Sequence, residues 1–181
     1  MRIRPVLSST GACLLVVASA FLLLSAAPAE ADDKPTAAAQ AVTSKRAPDA
    51  DERAAMLAVL KPETAPARAT WLTYSAGDAE GKALAESLAG IFEEAGWKAH
   101  TSSLTGMRLK PGVMMLVADE EAPTWVQGVQ EALGKSGLNA NSATGYKSYY
   151  DEKKAENPSW AGVPLPKDAA YLIVVGPEPK T

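Results

Sequence analysis

The chain has almost none of the residues from which disulfide scaffolds and many catalytic sites are built. Of its 181 residues, only Cys13 is a cysteine and only His100 is a histidine. No intramolecular disulfide can form, so a hydrophobic core must hold the fold. A Cys-His pair and a multi-histidine metal site are excluded in the mature chain. Because His100 is predicted to point outward beside Lys98, we interpret it as a solvated surface residue and not as a catalytic base.

An excess of basic residues and the common nucleotide-binding motifs are also missing. The formal net charge is −3 at pH 7, which gives no electrostatic reason to bind nucleic acid or anionic lipid. Neither a Walker-type nor a G-x-G-x-x-G pattern occurs in the chain. We therefore expect no nucleic-acid partner, no cofactor and no bound metal.

The one long hydrophobic run lies at the N-terminus and predicts export. Arg2 and Arg4 precede this apolar run, residues 12–27, and a small-x-small cleavage site ends at Ala31. The run is shorter than the ~20 residues that a helix needs to cross a bilayer. We expect residues 1–31 to be a cleaved signal peptide, with the protein periplasmic or extracellular. The alternative is an uncleaved anchor at 12–27, which would be the only membrane contact.

The organisation after the leader is a linker followed by one domain. Residues 32–66 are predicted to be a flexible linker with a short helix near 51–60, capped by Asp49 or Asp51. Residues 67–181 are predicted to form a single α/β domain. Within it, residues 139–169 show no clear periodicity, so this stretch is interpreted as a long functional loop, an added hairpin or a missed strand around Thr144 to Tyr150.

Periodicity within the domain predicts four strands and two helices, in the order strand, helix, strand, strand, helix, strand. The strands are expected at 69–75, 97–104, 113–118 and 171–175, with helices after Asp78 and Pro123. The short connection between the second and third strands predicts a hairpin. The fold class is therefore α/β with a ferredoxin-like βαββαβ mixed sheet and two crossover helices. Two continuous apolar strands favour cover on both sheet faces, either by the 51–60 helix or in a three-layer α/β sandwich.

Four local features of the domain occur together in a recognisable order. They are a strand ending in Ser75, a helix closing in Ala95-Gly96-Trp97, an apolar strand from Gly112-Val113, and a terminal Ile173-Val174-Val175-Gly176 followed by Pro179. Together they resemble a small uncharacterised α/β domain of bacterial membrane-anchored and envelope proteins. The architecture also resembles the C-terminal domain of LytR-type cell-envelope proteins. That family's Asn-x-(Ser/Thr)-Gly turn is replaced here by Ser75-Ala76-Gly77-Asp78. Peptidoglycan-binding SPOR domains share the element order, which is an analogy of fold alone.

Two groups of residues are candidates for a site. The aromatic group in the long loop comprises Tyr146, Tyr149, Tyr150 and Trp160, and aromatic faces beside polar side chains suit contact with a glycan or a peptide. These residues could instead close the core over the sheet. The acidic group comprises Asp78, Asp119, Glu120 and Glu121, each near the start of a predicted helix.

The acidic group allows two interpretations. If the first and third strands were parallel neighbours, the carboxylates could converge at one end of the sheet and handle a divalent cation or a glycosidic bond. Acidic residues at helix N-termini also cap free N–H groups, and capping is the simpler explanation.

Three functions follow from these observations. The first is an exported, non-catalytic binding or protein-interaction module of the bacterial cell envelope, whose partner is an envelope protein or glycan. The second is a carboxylate-based hydrolase of envelope glycans. The third is a structural subunit of an envelope complex that docks through the 51–60 helix.

Overall fold

A computed structural model describes residues 44–138 and 140–179. The predicted signal peptide and the first part of the predicted linker, up to residue 43, lie outside the described residues. The described helices are α1 (Ala50–Leu60), α2 (Ala79–Glu94), α3 (Thr124–Lys135) and α4 (Tyr146–Glu156). The strands are β1 (Ala69–Ser75), β2 (Lys98–Leu104), β3 (Val113–Val117), β4 (Asn141–Ala143) and β5 (Tyr171–Val175). In the stretches that the structure describes, no helix is both long and apolar enough to span a membrane.

The strands form one five-stranded mixed sheet, which confirms the α/β class. Their order is β2-β1-β5-β3-β4, with β1 parallel to β2 and β5, and β3 parallel to β4. β5 and β3 are antiparallel neighbours. The sheet thus consists of two βαβ units that run in opposite directions, with β5 between them. Right-handed crossovers in two such units place α2 and α3 on the same face.

The predicted hairpin between the second and third strands is wrong, and with it the ferredoxin-like strand order. β2 lies at one edge of the sheet and β3 on the far side of β5, so β1 and β5 separate them. The physical reason is burial: β2 carries mostly exposed residues, whereas every residue of β5 is buried. A polar strand is tolerated at an edge, and a fully apolar strand needs neighbours on both sides.

One face of the sheet carries the main core. The side chains of β3 and β5 alternate, so that Val113, Met115 and Val117 join this core together with the buried residues of α1, α2 and α3. The predicted helix near 51–60 is present as α1, and Asp49 caps it in a capping box with Glu52. The buried residues of α1 belong to this main core.

The other face carries a smaller hydrophobic cluster. Leu109, Leu116, Leu172 and Val174 are its buried members, and Tyr146 of α4 packs against them with side chains of the loops. Both faces of β3 and β5 are therefore covered, as their apolar runs predict. The cover on the second face comes from α4 and loops and not from α1.

Gly176 marks the closest backbone approach near the end of β5. Its N–H donates to the Gly112 carbonyl at 2.8 Å, and the Gly112 N–H donates to Pro177 at 3.0 Å. A Cβ on Gly176 would lie 1.8 Å from the Lys110 carbonyl oxygen. Only glycine fits between the two backbone segments at this point.

An ion pair ties the segment before α1 to the start of α2. The Arg46 guanidinium donates through Nε to Glu80 at 3.0 Å and forms a second bond to the same carboxylate. Arg46 also donates to the Gly176 carbonyl at 3.0 Å, and the Ser44 hydroxyl donates to Glu80 at 2.5 Å. The hydrogen bond from Arg46 lowers the pKa of Glu80 below its usual value, against the opposing effect of partial burial.

Candidate functional site

Helix α4 brings the predicted aromatic residues onto one surface. Tyr146, Tyr149 and Tyr150 are spaced i, i+3 and i+4, which is the spacing of one helix face. The helix follows Gly145, which adopts a left-handed φ of 69°. The Lys147 N–H donates to the Ala118 carbonyl at 3.0 Å, so the first turn of α4 is joined to the end of β3.

Trp160 completes an aromatic cluster with the three tyrosines of α4. Its ring centroid lies 5.8 Å from that of Tyr149 and 5.6 Å from that of Tyr150, both edge to face. Tyr146 lies 6.2 Å from each of the other two tyrosines. Such aromatic pairs contribute roughly 0.5–1.5 kcal/mol each beyond the area they bury. All four residues that the sequence predicted as a contact surface are therefore neighbours.

Two contacts fix the cluster to the rest of the protein. The Tyr146 hydroxyl donates to the Val163 carbonyl at 2.9 Å, and burial raises the pKa of this hydroxyl. A Cβ on Gly162 would lie 2.0 Å from the Trp160 ring, so the indole lies directly over this glycine. The loop after α4 thereby holds the indole against the tyrosines.

The outer side of the aromatic cluster is open to solvent and flanked by cations. Tyr149 is 47% exposed and is the one large hydrophobic side chain that is exposed within residues 44–138 and 140–179. The ammonium of Lys153 lies 5.9 Å from the Tyr149 ring centre, and that of Lys154 lies 5.9 Å from the Tyr150 ring centre. Aromatic faces with adjacent cations combine apolar contact with hydrogen-bond donors.

An apolar cleft of about 290 Å³ adjoins the cluster on one side. Tyr146 and Trp160 form part of its wall, and Met107, Leu109 and Val163 line it as well. The cleft lies on the second face of the sheet, between the loop before β3 and the loop after α4. It offers an apolar surface next to the aromatic cluster.

A second cleft, of about 420 Å³, shares Tyr150 with the cluster and is lined by five charged side chains. We call it the charged cleft. Lys147, Tyr150 and Asp151 line it from one face of α4. The remaining lining residues come from the end of β3 and from the segment before β5: Ala118, Asp119, Leu165, Pro166, Lys167, Asp168, Ala169 and Ala170. Tyr150 is therefore shared between the aromatic cluster and the charged cleft.

The two groups of acidic residues lie at opposite ends of the sheet. β1 and β3 run in opposite directions with β5 between them, so Asp78, which follows β1, cannot approach Asp119, which follows β3. The condition for a shared carboxylate site, that the two strands are parallel neighbours, is not met. Among the residues that the structure describes, no three Asp, Glu, His or Cys side chains are grouped to hold a metal ion.

Capping accounts for Asp78 and not for the second acidic group. Asp78 Oδ1 accepts a hydrogen bond from the Gly81 N–H at 2.9 Å at the start of α2. α3 begins after Pro123 without a side-chain cap. Asp119, Glu120 and Glu121 precede that turn and are exposed. The capping interpretation is therefore wrong for these three residues.

His100 occupies the exposed surface position that the strand pattern predicts. Its ring stacks on Trp71 of the neighbouring strand, with centroids 5.6 Å apart and an angle of 23° between the planes. Stacking on an aromatic ring accounts for the position of His100 without a catalytic role.

Local sequence patterns predict neither α4, which lies in the stretch expected to be a loop, nor the position of Lys167 and Asp168 beside it. α4 has no buried residue, so the apolar period that reveals most helices is absent. The i, i+3, i+4 spacing of its tyrosines was the available signal. Lys167 and Asp168 meet α4 only through the pairing of β5 with β3, which local patterns do not reveal.

Comparisons with protein-family models, curated proteins and solved structures find no match.

Proposed function

We propose that this protein is an exported, non-catalytic binding module of the bacterial cell envelope, which contacts its partner through the aromatic cluster. The observation that carries the proposal is the convergence of Tyr146, Tyr149, Tyr150 and Trp160 in one cluster, in which Tyr149 is exposed and the other three rings are partly exposed. Exposed, rigidly held aromatic rings are the side chains that most often dominate binding surfaces. The leader supports a location in the envelope.

Two features of the cluster favour a contact surface over a purely structural role. Tyr149 leaves almost half of its area in water, which contributes little to a core. Clefts also open on both sides of the cluster, so a ligand laid over it gains contacts beyond the rings. The partner in this proposal is an envelope protein or glycan.

The other two functions gain less support. A carboxylate hydrolase needs two acidic groups within one cleft, and Asp78 and Asp119 are at opposite ends of the sheet. A structural subunit docked through α1 would need the apolar face of that helix, but Met56, Leu57 and Leu60 are buried in the core.

A fluorescence titration tests the proposal. Soluble peptidoglycan fragments are added to the purified protein, and the emission of tryptophan is followed. We expect a saturable change for the native protein that is weakened about tenfold or more in Tyr149→Ala, the size typical of a central aromatic contact. His100→Ala is the matched control, because it removes an exposed ring from another part of the surface. No change at millimolar fragment, or an equal loss in both variants, would contradict the proposal.

A further inference from the structure

The charged cleft is built on a hydrogen-bonded backbone frame. The Ala118 N–H donates to Ala170 at 2.8 Å, and the Gly145 N–H donates to the Asp119 carbonyl at 2.9 Å. The Ala169 N–H donates to Pro166 at 3.0 Å. These bonds join the end of β3, the start of α4 and the segment before β5. The side chains around the cleft therefore project from fixed backbone positions.

Charges of both signs surround the cleft without neutralising one another. Its lining includes three aspartates and two lysines: Asp119, Asp151, Asp168, Lys147 and Lys167. Within the described residues, none of these five side chains takes part in an ion pair or a hydrogen bond. Even Lys147 and Asp151, at the i, i+4 spacing that favours pairing on a helix, are not joined. The carboxylates and the ammonium groups of the cleft are therefore both available to a ligand.

We propose that the charged cleft binds a short peptide segment that carries both an ammonium and a carboxylate group. The proposal rests on the binding function above and specifies its ligand. The carboxylates of Asp151 and Asp168 would accept hydrogen bonds from the ammonium group of the ligand. The ammonium groups of Lys147 and Lys167 would donate hydrogen bonds to the carboxylate group of the ligand. A ligand with only positive or only negative charge would be attracted by one set of side chains in the cleft and repelled by the set of the same charge.

The size and chemistry of the cleft favour a peptide over a neutral sugar. Its volume, about 420 Å³, lies within the range of small-ligand sites. Neutral hydroxyls could form hydrogen bonds with the five charged groups, but they would supply no opposite charge to either sign. Leu165 and Pro166 add an apolar wall that suits the methyl group or the side-chain stem of an amino acid.

Tyr150 lies between the charged cleft and Trp160, whose fluorescence can report binding. Its ring lines the cleft and lies 5.6 Å from Trp160. A ligand in the cleft would change the surroundings of Tyr150 and, through that contact, the emission of Trp160.

Calorimetric titration with the dipeptide lysyl-alanine tests the inference. We expect saturable binding of the free dipeptide, weakened by about fivefold or more when both amino groups are acetylated, and likewise when the carboxylate is amidated. An N-acetylglucosamine oligosaccharide is the fourth ligand and should not bind here. Equal binding of the free and capped dipeptides, binding of the oligosaccharide alone, or no binding at millimolar dipeptide would each overturn the inference.

Variants locate the binding. Lys167→Gln should weaken binding of the free dipeptide about fivefold and leave binding of the amidated dipeptide unchanged. Asp168→Asn should weaken binding of the free dipeptide by a similar factor and leave binding of the acetylated dipeptide unchanged. Lys135→Gln, an exposed lysine on α3, is the matched control and should bind as the native protein does. Equal affinity in Lys167→Gln and Lys135→Gln would overturn the assignment of the cleft.

The two proposals fail in different ways. If peptidoglycan fragments bind in a manner lost in Tyr149→Ala while lysyl-alanine does not bind, the cleft inference is wrong and the binding module stands. If lysyl-alanine binds in a manner lost in Lys167→Gln while Tyr149→Ala leaves fragment binding intact, the aromatic contact is wrong and the cleft stands.

Discussion

Replacing Glu80 with glutamine removes the negative charge that holds the segment before α1 onto α2. The carboxylate accepts from the Arg46 guanidinium and from the Ser44 hydroxyl, and the ion-paired side chains are only 13% and 23% exposed. A pair this sheltered is screened less by water than a surface pair. Glu80→Gln keeps the shape of the side chain and leaves the Arg46 guanidinium without an oppositely charged partner, although its hydrogen bond to the Gly176 carbonyl remains.

The magnitude follows from the type of bond that is lost. Hydrogen bonds to charged groups contribute about 1.5–3 kcal/mol, so we expect Glu80→Gln to lower the free energy of unfolding by about 2 kcal/mol at pH 7. The midpoint of thermal unfolding should fall by roughly 6–8 °C in a domain of this size.

The pH dependence has a definite sign. Folding lowers the pKa of the Glu80 carboxyl from its usual 4.5, so its contribution is present above that value. The contribution is lost as the pH falls through the lower, folded pKa. The stability difference between the native protein and Glu80→Gln should therefore shrink as the pH is lowered from about 5 toward 2.

Urea unfolding at a series of pH values measures this difference. Glu86→Gln is the control: it makes the same substitution on the same helix, in an exposed pair with Lys82 at 3.6 Å. We expect the control to change stability by less than about 0.5 kcal/mol. Equal unfolding midpoints for native protein and Glu80→Gln at pH 7, or a difference that does not vary with pH, would refute the reasoning.

Four further substitutions test packing and capping by thermal or urea unfolding. Gly176→Ala should destabilise by more than about 3 kcal/mol, because its Cβ would lie 1.8 Å from the Lys110 carbonyl; a near-native midpoint would contradict that close approach. A Cβ on Gly90 in α2 would have no atom within 4 Å. Gly90→Ala should therefore raise the free energy of unfolding by about 0.5–1 kcal/mol through helix propensity. A loss of stability would show a contact that the structure lacks. Asp78→Ala should cost about 1 kcal/mol and Glu121→Ala close to nothing, and equal costs would reject the difference in capping.

The elements that local patterns define were predicted well. Ala69–Ser75 and Tyr171–Val175 have the predicted bounds, because runs of apolar and β-branched residues end there at turn residues. Gly96 closes α2 with a φ of 85°, and the Trp97 N–H donates to Phe92 at 2.9 Å, which is the expected glycine-terminated helix end.

The strand order was beyond local patterns because it depends on pairing between distant segments. The eight-residue connection after β2 is short enough for a hairpin, yet it passes the ends of β1 and β5 to reach β3. The exposed residues of β2 held the relevant signal, since a polar strand belongs at an edge. The same long-range pairing separates Asp78 from Asp119 and brings Lys167 and Asp168 to α4.

The most direct measurement is an amide NMR map of the purified protein titrated with soluble peptidoglycan fragments. We predict concentration-dependent shifts concentrated in residues 146–160 and in the neighbouring segment 165–170, with the amide signals of β2 and α2 unchanged. Shifts confined to other parts of the protein, or an unaltered spectrum at millimolar fragment, would contradict the claim that the aromatic cluster is the contact surface.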